Sequence, residues 1–143
     1  MEVLSPYLLA AACAWLVAQS LKYLHISIKE HSFKSLRQMY LSGNMPSAHS
    51  ATAVALLIVI GGRDGVSTAI FGLAALFTAV VMYDAVMVRR SSGEQGDAIL
   101  AMLLEQKSTI IRPRVAKGHT PLEVIVGAIV GAIVGFVVFL ATS

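Results

Sequence analysis

The feature that most constrains the fold is a set of four long runs without a charged side chain. They contain no Asp, Glu, Lys or Arg and cover residues 3–21, 45–62, 65–83 and 124–143. Each is close to the ~20 residues with which an α-helix crosses the hydrocarbon layer of a bilayer. With 57% hydrophobic and only 13% charged residues, the chain cannot give a water-soluble core a solvated surface on all sides. The sequence predicts a membrane protein with about four transmembrane helices.

The connections between the runs carry most of the charge. Residues 25–41 combine an apolar stripe with basic side chains, which is typical of a helix lying in the membrane interface. GGRDG at 61–65 predicts a tight turn, because glycines suit positive φ, and makes spans two and three a hairpin. Residues 97–106 predict a second short helix, which could lie on the membrane surface or cover a site. The expected fold is an all-α bundle with one or two interfacial helices, in a single membrane-embedded domain over residues 1–143.

This topology puts the unusual chemistry at one end of the bundle. With four spans, the connection after the first and the connection after the third emerge on the same side. All four histidines lie there: His25, His31, His49 and His119. The opposite side has only the turn at 61–65 and the two termini. We therefore expect a functional site where GNMPSAHS (43–50) faces RPRVAKGHTPLEV (112–124).

The second span begins with polar residues. Asn44 or Ser47 can cap this helix, Pro46 suits its first turn, and the free N–H groups of that turn form an anion site. His49 then projects from the first turn toward the site. A capped membrane helix whose histidine reaches the interface is the structural alternative.

The fourth span begins in a similar way. In KGHTPLEV, Thr120 is an N-cap, Pro121 is the first helical residue, and Glu123 completes a capping box. Capping alone explains Glu123. However, His119 precedes the cap and lies four residues from Glu123, where a carboxylate can orient its imidazole. Packing of a helix bundle does not require two histidines at two helix N-termini on one side of the membrane.

The third polar cluster lies at the end of the third span. Asp84 lies within its last turns, where an ionisable group is costly unless it is paired or functional. Arg89 and Arg90 are its expected partners, and their structural alternative is to anchor the helix at the headgroups. In the first span, Gln19 and Lys22 lie three residues apart on one helical face, near the same surface. Asp84 fits both a structural ion pair and a catalytic site.

These motifs resemble a known family. GNMPSAHSA, YDAVMVRRSSGEQ and GHTPLEV, in this order behind a span that ends AQSLK, are similar to the divergent branch of the type 2 phosphatidic acid phosphatase (PAP2) superfamily, which is related to vanadium haloperoxidases. The resemblance covers most of the chain. It implies a membrane-embedded, metal-independent phosphatase that works through a phosphohistidine. PSAH at 46–49 matches the Pro-Ser-Gly-His motif of the superfamily, and His119 with Glu123 matches its His-x-x-x-Asp.

The chain departs from the superfamily in its cationic motifs. Ala48 stands where the superfamily has glycine, and Glu123 where it has aspartate. The arginine expected six residues before the histidine falls on Pro113, and no Lys-x6-Arg-Pro motif lies upstream of Pro46. The cations of the site must therefore come from other positions.

The resemblance and the chemistry of phosphoryl transfer together give each candidate a role. His119 is the expected nucleophile, Glu123 fixes its tautomer, and His49 is the general acid. We count Asp84 with these catalytic candidates. The expected phosphate-binding residues are Lys22, Ser47, Arg89 and Arg90. The substrate is expected to be an amphiphilic phosphate or diphosphate ester from the bilayer, with no cofactor, no metal and no nucleic acid partner.

Two other functions stay open. His49, His119, Asp84 and Glu123 could bind Zn²⁺ or Mn²⁺ in a metal-dependent membrane hydrolase, although no HExxH pattern is present. The single cysteine, Cys13, lies inside the first span and supplies no metal site. Alternatively, the same pocket binds lipid phosphates without turnover. The sequence leaves open which lipid is bound, with isoprenoid diphosphates, phosphatidylglycerol phosphate and phosphatidic acid all compatible.

Two further expectations concern assembly and orientation. Gly127, Gly131 and Gly135 form one smooth stripe on the fourth span, which suits close packing either within the chain or in a homodimer. All but one of the 11 Lys and Arg residues lie on the side of the site, and Arg63 is the exception. Because short basic loops stay in the cytoplasm, the site is expected on the cytoplasmic face of the cell membrane.

Overall fold

The computed structural model describes residues 4–30, 45–112, 115 and 118–143. Five α-helices and one π-helical turn make up the fold in these ranges. In chain order they are α1 (Pro6–Glu30), α2 (Ala48–Arg63), α3 (Ala69–Tyr83), the π-helical turn (Asp84–Val88), α4 (Arg89–Glu105) and α5 (Pro121–Thr142). The described residues contain no strand. The predicted all-α membrane bundle is confirmed.

Three helices are long and apolar enough to cross a membrane. They cover Pro6–Ile28, Ala69–Glu105 and Pro121–Thr142. α2 is also apolar but has 16 residues, a length of about 24 Å, which is shorter than a ~30 Å hydrocarbon layer. The four uncharged runs of the sequence therefore correspond to three long apolar helices and one shorter one.

The boundaries predicted for the two interfacial helices differ from those in the structure. Residues 25–30 continue α1 instead of starting a new helix, since no glycine or proline interrupts the chain there. The rest of the helix predicted over 25–41 lies outside the described residues. The helix predicted at 97–106 begins at Arg89 and continues α3 through the π-helical turn.

α2 is the central helix of the bundle and packs against α1, α3 and α5. Its contact with α1 is built from alanines spaced four residues apart, including Ala10, Ala14 and Ala18 of α1 and Ala51 and Ala55 of α2. Small side chains on one stripe let helix backbones approach closely, which is how helices associate where lipid removes the hydrophobic driving force.

The glycine stripe of α5 packs on α2 of the same chain. A Cβ atom at Gly127, Gly131 or Gly135 would collide with the carbonyl oxygens of Ser47, Ala51 and Ala55, in that order. Of the two alternatives for the stripe, packing within the chain is the arrangement present. A homodimer stays a prediction, and it would have to use a face other than these glycines.

The turn between α2 and α3 lies at residues 64–68, later in the chain than the predicted 61–65. Gly61 and Gly62 belong to α2, where they face Phe71 and Phe139, and only Gly65 has a positive φ, of 94°. The prediction of positive φ at all three glycines is therefore wrong for two of them, because glycine is also needed where an aromatic ring lies against a helix. At this end, the Tyr7 hydroxyl donates to Asp64 (2.9 Å), and Arg63 donates to the Thr142 carbonyl (2.6 Å). These bonds tie α1, α2 and α5 together.

Candidate functional site

Two helix N-termini meet at the other end of the bundle. Ser47 caps α2, and its hydroxyl accepts hydrogen bonds from the N–H and hydroxyl of Ser50 (3.4 and 2.9 Å). Thr120 caps α5 in a complete capping box with Glu123. The Ser47 N–H donates to the Glu123 carbonyl (3.1 Å), so the two termini are joined directly. Both predicted caps are confirmed, and Pro46 lies before the cap of α2 instead of in its first turn.

His119 is held by groups from two helices. Its Nδ1 lies 3.2 Å from Oε2 of Glu123, and its backbone N–H donates to the carbonyl of Ala85 (3.0 Å). The residue is only 5% exposed. With Nδ1 facing the carboxylate, Nε2 is the ring nitrogen left for chemistry. The carboxylate also accepts from the Thr120 N–H (2.9 Å), which fixes its own orientation.

Burial lowers the pKa of His119 below its ordinary value. The hydrogen bond and the charge of Glu123 oppose this effect, and the charge of Lys22 reinforces it. Burial is the largest of these influences, so the imidazole is neutral near pH 7. A neutral ring with one nitrogen bonded to a carboxylate is the form that a nucleophilic histidine requires.

Lys22 continues the buried stripe of α1 by one turn toward the site. Its side chain is 5% exposed, and it forms no hydrogen bond or ion pair within the part of the chain that the structure describes. The charge of Glu123 acts on Lys22, and that of Lys22 acts on His119, which places the three groups near one another. The ammonium nitrogen of Lys22 is not one of the fully buried atoms without a partner, so it stays accessible to a ligand, and an anion is the ligand that its positive charge favours. One turn earlier, the buried Oε1 of Gln19 also has no hydrogen-bond partner among the residues that the structure describes.

The remaining candidates are divided between the site and its rim. His49 is exposed in the first turn of α2, and the charges of Arg89, Lys22 and Asp84 act on it. Arg89 pairs with Asp84 at 2.6 Å, as expected from the sequence. Arg90 instead pairs with Glu94 at 3.1 Å, with more than half of each side chain exposed.

The hydroxyl of Ser47 has a different environment from the one that its expected role as a phosphate ligand requires. The residue is fully buried, and its hydroxyl accepts from Ser50 inside the helix cap. A phosphate contact from this hydroxyl stays a prediction. At the start of α2, the N–H groups of Ala48 and His49 are the candidate donors, because the first turn of a helix leaves its N–H groups without intrahelical partners. The N–H groups of Ser47 and Ser50 already donate to the Glu123 carbonyl and to the Ser47 hydroxyl.

Two contributors to the site were missed by the sequence interpretation. The Ala85 carbonyl binds the His119 N–H, and Gly118 lies so close to the first turn of α4 that a Cβ atom would overlap the backbone of Arg90. The glycine directly before His119 was a usable signal for close backbone approach. The carbonyl had no signal, since any residue carries one.

The proposed metal site is not assembled. Among the described residues, no three His, Cys, Asp or Glu side chains come together in a group that could hold a metal ion. His49, His119, Asp84 and Glu123 all lie in described parts of the chain and do not form such a group.

Comparison with known proteins gives one family and one relative. A family model described as "Divergent PAP2 family" matches residues 4–134. The chain is 30% identical over 103 residues to a protein from Bacillus subtilis (strain 168) named "Uncharacterized membrane protein YuiD". This match covers 62% of the chain and 65% of the relative, which is less than two thirds of its length. No solved structure matches the chain. With its long apolar helices, the chain is an integral membrane protein.

Proposed function

Because the chain belongs to the divergent PAP2 family, we propose that it is a membrane-embedded phosphatase for amphiphilic phosphate or diphosphate esters. The observation that carries the proposal is the environment of His119. A buried imidazole lies 3.2 Å from a carboxylate that fixes its Nδ1, and Lys22, which has no partner among the described residues, is nearby. This set combines a nucleophile, its orienting group and a cation for the phosphate.

In the proposed reaction, Nε2 of His119 attacks phosphorus, and the bond from phosphorus to the leaving oxygen breaks. His49 donates a proton to that oxygen, and Glu123 stabilises the positive charge that develops on His119. Water then attacks the phosphohistidine, giving its proton to His49 and releasing phosphate. Because phosphoryl transfer depends mainly on positioning and charge neutralisation, the cations matter as much as the nucleophile.

The phosphate oxygens are proposed to bind Lys22, Arg89 and the free N–H groups of the first turn of α2. Arg90 and the Ser47 hydroxyl complete the set of phosphate ligands predicted from the sequence. Asp84 holds Arg89 through the 2.6 Å contact. A site at helix ends near the interface allows the substrate's apolar tail to stay in the bilayer while its headgroup enters.

The test is phosphate release by the purified protein from a panel of isoprenoid diphosphates, phosphatidylglycerol phosphate and phosphatidic acid. His119→Ala and His49→Ala should each lose at least ~100-fold in turnover. The matched control is His25→Ala, because His25 is an exposed histidine in α1, and this variant should keep wild-type activity.

The same assay separates the other functions. Saturable binding of these lipids with no phosphate release would favour a lipid-phosphate-binding protein, for which the buried Lys22 is also suited. Strong inhibition by EDTA would favour the metal-dependent hydrolase. Near wild-type activity of His119→Ala on the true substrate would contradict the assigned nucleophile.

A further inference from the structure

The π-helical turn at Asp84–Val88 changes which backbone groups are bonded within the helix. The N–H of Arg89 donates to the carbonyl of Asp84, five residues earlier, where an α-helix would step back four. α3 before the turn and α4 after it are α-helical. When the backbone hydrogen bonds of a helix return from a spacing of five residues to a spacing of four, one carbonyl is left without an N–H donor from the helix. With Arg89 bonded to Asp84, this carbonyl is that of Ala85.

This released carbonyl is the one that binds His119. The His119 N–H donates to it at 3.0 Å, and Ala85 is only 3% exposed. A buried carbonyl without a hydrogen-bond partner is costly, and this contact gives a partner both to the Ala85 carbonyl and to the His119 N–H. Gly118 permits it, because its backbone lies against that of Arg90 at a distance where no Cβ atom would fit. The segment before α5 therefore rests on the helix backbone itself.

We propose that the π-helical turn is a positioning device for His119, and that Ala85 and Gly118 are positioning residues of the site. In a regular α-helix the Ala85 carbonyl would accept a hydrogen bond from within the helix. In the π-helical turn it accepts from the His119 N–H instead, and this bond fixes the backbone of His119 beside the start of α2. The proposal rests on the proposed function for its catalytic meaning, but its geometry can be tested without turnover.

The same turn has a second effect on the site. In an α-helix, residues five apart point about 140° away from each other, yet Arg89 and Asp84 form a 2.6 Å ion pair across the π-helical turn. Both charges act on His49. One irregular turn therefore arranges a backbone acceptor for one histidine and a charged pair for the other. A bulge that only bends a helix would require neither feature.

The direct measurement is hydrogen exchange of the His119 amide in the full chain. Selective ¹⁵N-histidine labelling gives four backbone signals, one for each histidine, and His119→Ala assigns the relevant one. In the wild type, this amide should exchange slowly although it lies outside the helices. In Gly118→Ala the added methyl displaces the segment, and the protection should be lost.

A deletion tests the role of the π-helical turn itself. Deleting Val86 places Arg90 four residues after Ala85, so that the Arg90 N–H takes the carbonyl in a regular α-helix. Protection of the His119 amide should again be lost. The matched controls are deletion of Ala101, which shortens α4 beyond the turn, and Gly72→Ala, which adds a methyl group where no atom lies within 4 Å. Both controls should keep the protection.

Activity then distinguishes positioning from simple support of the fold. Gly118→Ala should lower kcat about 100-fold with a much smaller effect on KM, because displacement of a catalytic group by about 1 Å has an effect of this size. The atoms nearest to the added methyl group belong to Arg90 and not to Lys22 or Arg89. Fast exchange of the His119 amide in the wild type would overturn the proposal. Lost protection with unchanged kcat would also overturn it and leave the proposed function standing. Normal protection in a wild type that releases no phosphate would contradict the proposed function alone.

Discussion

At the scale of single residues, the site depends on how His119 is fixed. Its ring is oriented by Glu123 and its backbone by Ala85, and burial keeps it neutral. The spacing of four residues predicted that His119 and Glu123 are close, because the capping box places the carboxylate beside the residue before the cap. The backbone partner could not be predicted, since a carbonyl has no sequence signature. Ser47 was predicted as a cap, but its complete burial depends on α5 packing against it.

The charge of Glu123 gives a prediction for the pH dependence of activity. Glu123 raises the pKa of His119 against the larger effect of burial. Replacing it in Glu123→Gln should therefore lower that pKa further and move the acidic limb of the kcat/KM profile to lower pH. The plateau should also fall, because the positive charge formed on His119 loses its stabilisation. A pH–rate profile of both proteins checks this, and an acidic limb that moves to higher pH would contradict the assignment.

Stability should also depend on pH through His119. Because its pKa is lowered in the folded protein, the folded state binds fewer protons than the unfolded state once the pH falls below the ordinary value of about 6.5. The free energy of unfolding should therefore decrease from about pH 6.5 downward and be independent of this group above it. Thermal unfolding in detergent at pH 7 and pH 5 measures the decrease. His119→Ala should lose less stability than the wild type over this interval, and an equal loss would show that His119 is not the group responsible.

At the scale of helices, the capped starts of α2 and α5 were predicted, whereas the ends of α1 and α3 and the start of α4 were not. Ser47 and Thr120 cap α2 and α5 as expected, because caps are local and depend on one or two side chains. The ends of α1 and α3 were placed where charges begin. Charge marks the edge of the membrane and does not stop a helix, so α1 continues to Glu30 and α3 passes through the π-helical turn into α4.

The α2–α5 contact gives a prediction for stability. Gly131→Val should destabilise the protein by about 1–3 kcal/mol, because its side chain would overlap the Ala51 backbone, which cannot rotate away. Gly72→Val is the matched control, since Gly72 is exposed and has open space around it. Thermal unfolding in the same detergent compares the two. Equal stability of both variants would contradict the close α2–α5 packing.

At the scale of the whole molecule, the orientation in the membrane follows from the charge distribution. Arg89, Arg90, Lys107 and Arg112 are on the side of the site, and Arg63 is at the opposite end. Other Lys and Arg residues that the sequence assigns to the side of the site, including Lys34 and Arg37, lie outside the described residues. The excess predicts a site that faces the cytoplasm. A phosphate site contributes to the excess on either side, so labelling has to decide the orientation.

Single cysteines provide this test. In a Cys13→Ala background, a cysteine at Ser92 should resist a membrane-impermeant thiol reagent in intact cells, and one at Ser143 should react. Both positions are exposed at opposite ends of the molecule, and both should react after permeabilisation. Ser35, a third position for this purpose, lies outside the described residues. Labelling of Ser92 but not Ser143 in intact cells would reverse the topology.

The contact between α2 and α5 also determines how precisely the distance between these two helices is fixed. Glycine on one helix meets main-chain oxygen on the other at three successive turns, so main-chain atoms and not adjustable side chains set the separation of these helices. His49 and His119 lie at the N-terminal ends of α2 and α5, so the separation of the helices sets the distance between the two residues. Changes among the lipid-facing side chains, or in the thickness of the surrounding bilayer, should therefore leave this spacing unaltered. The outer surface of the protein can therefore change in sequence while the distance between His49 and His119 stays the same.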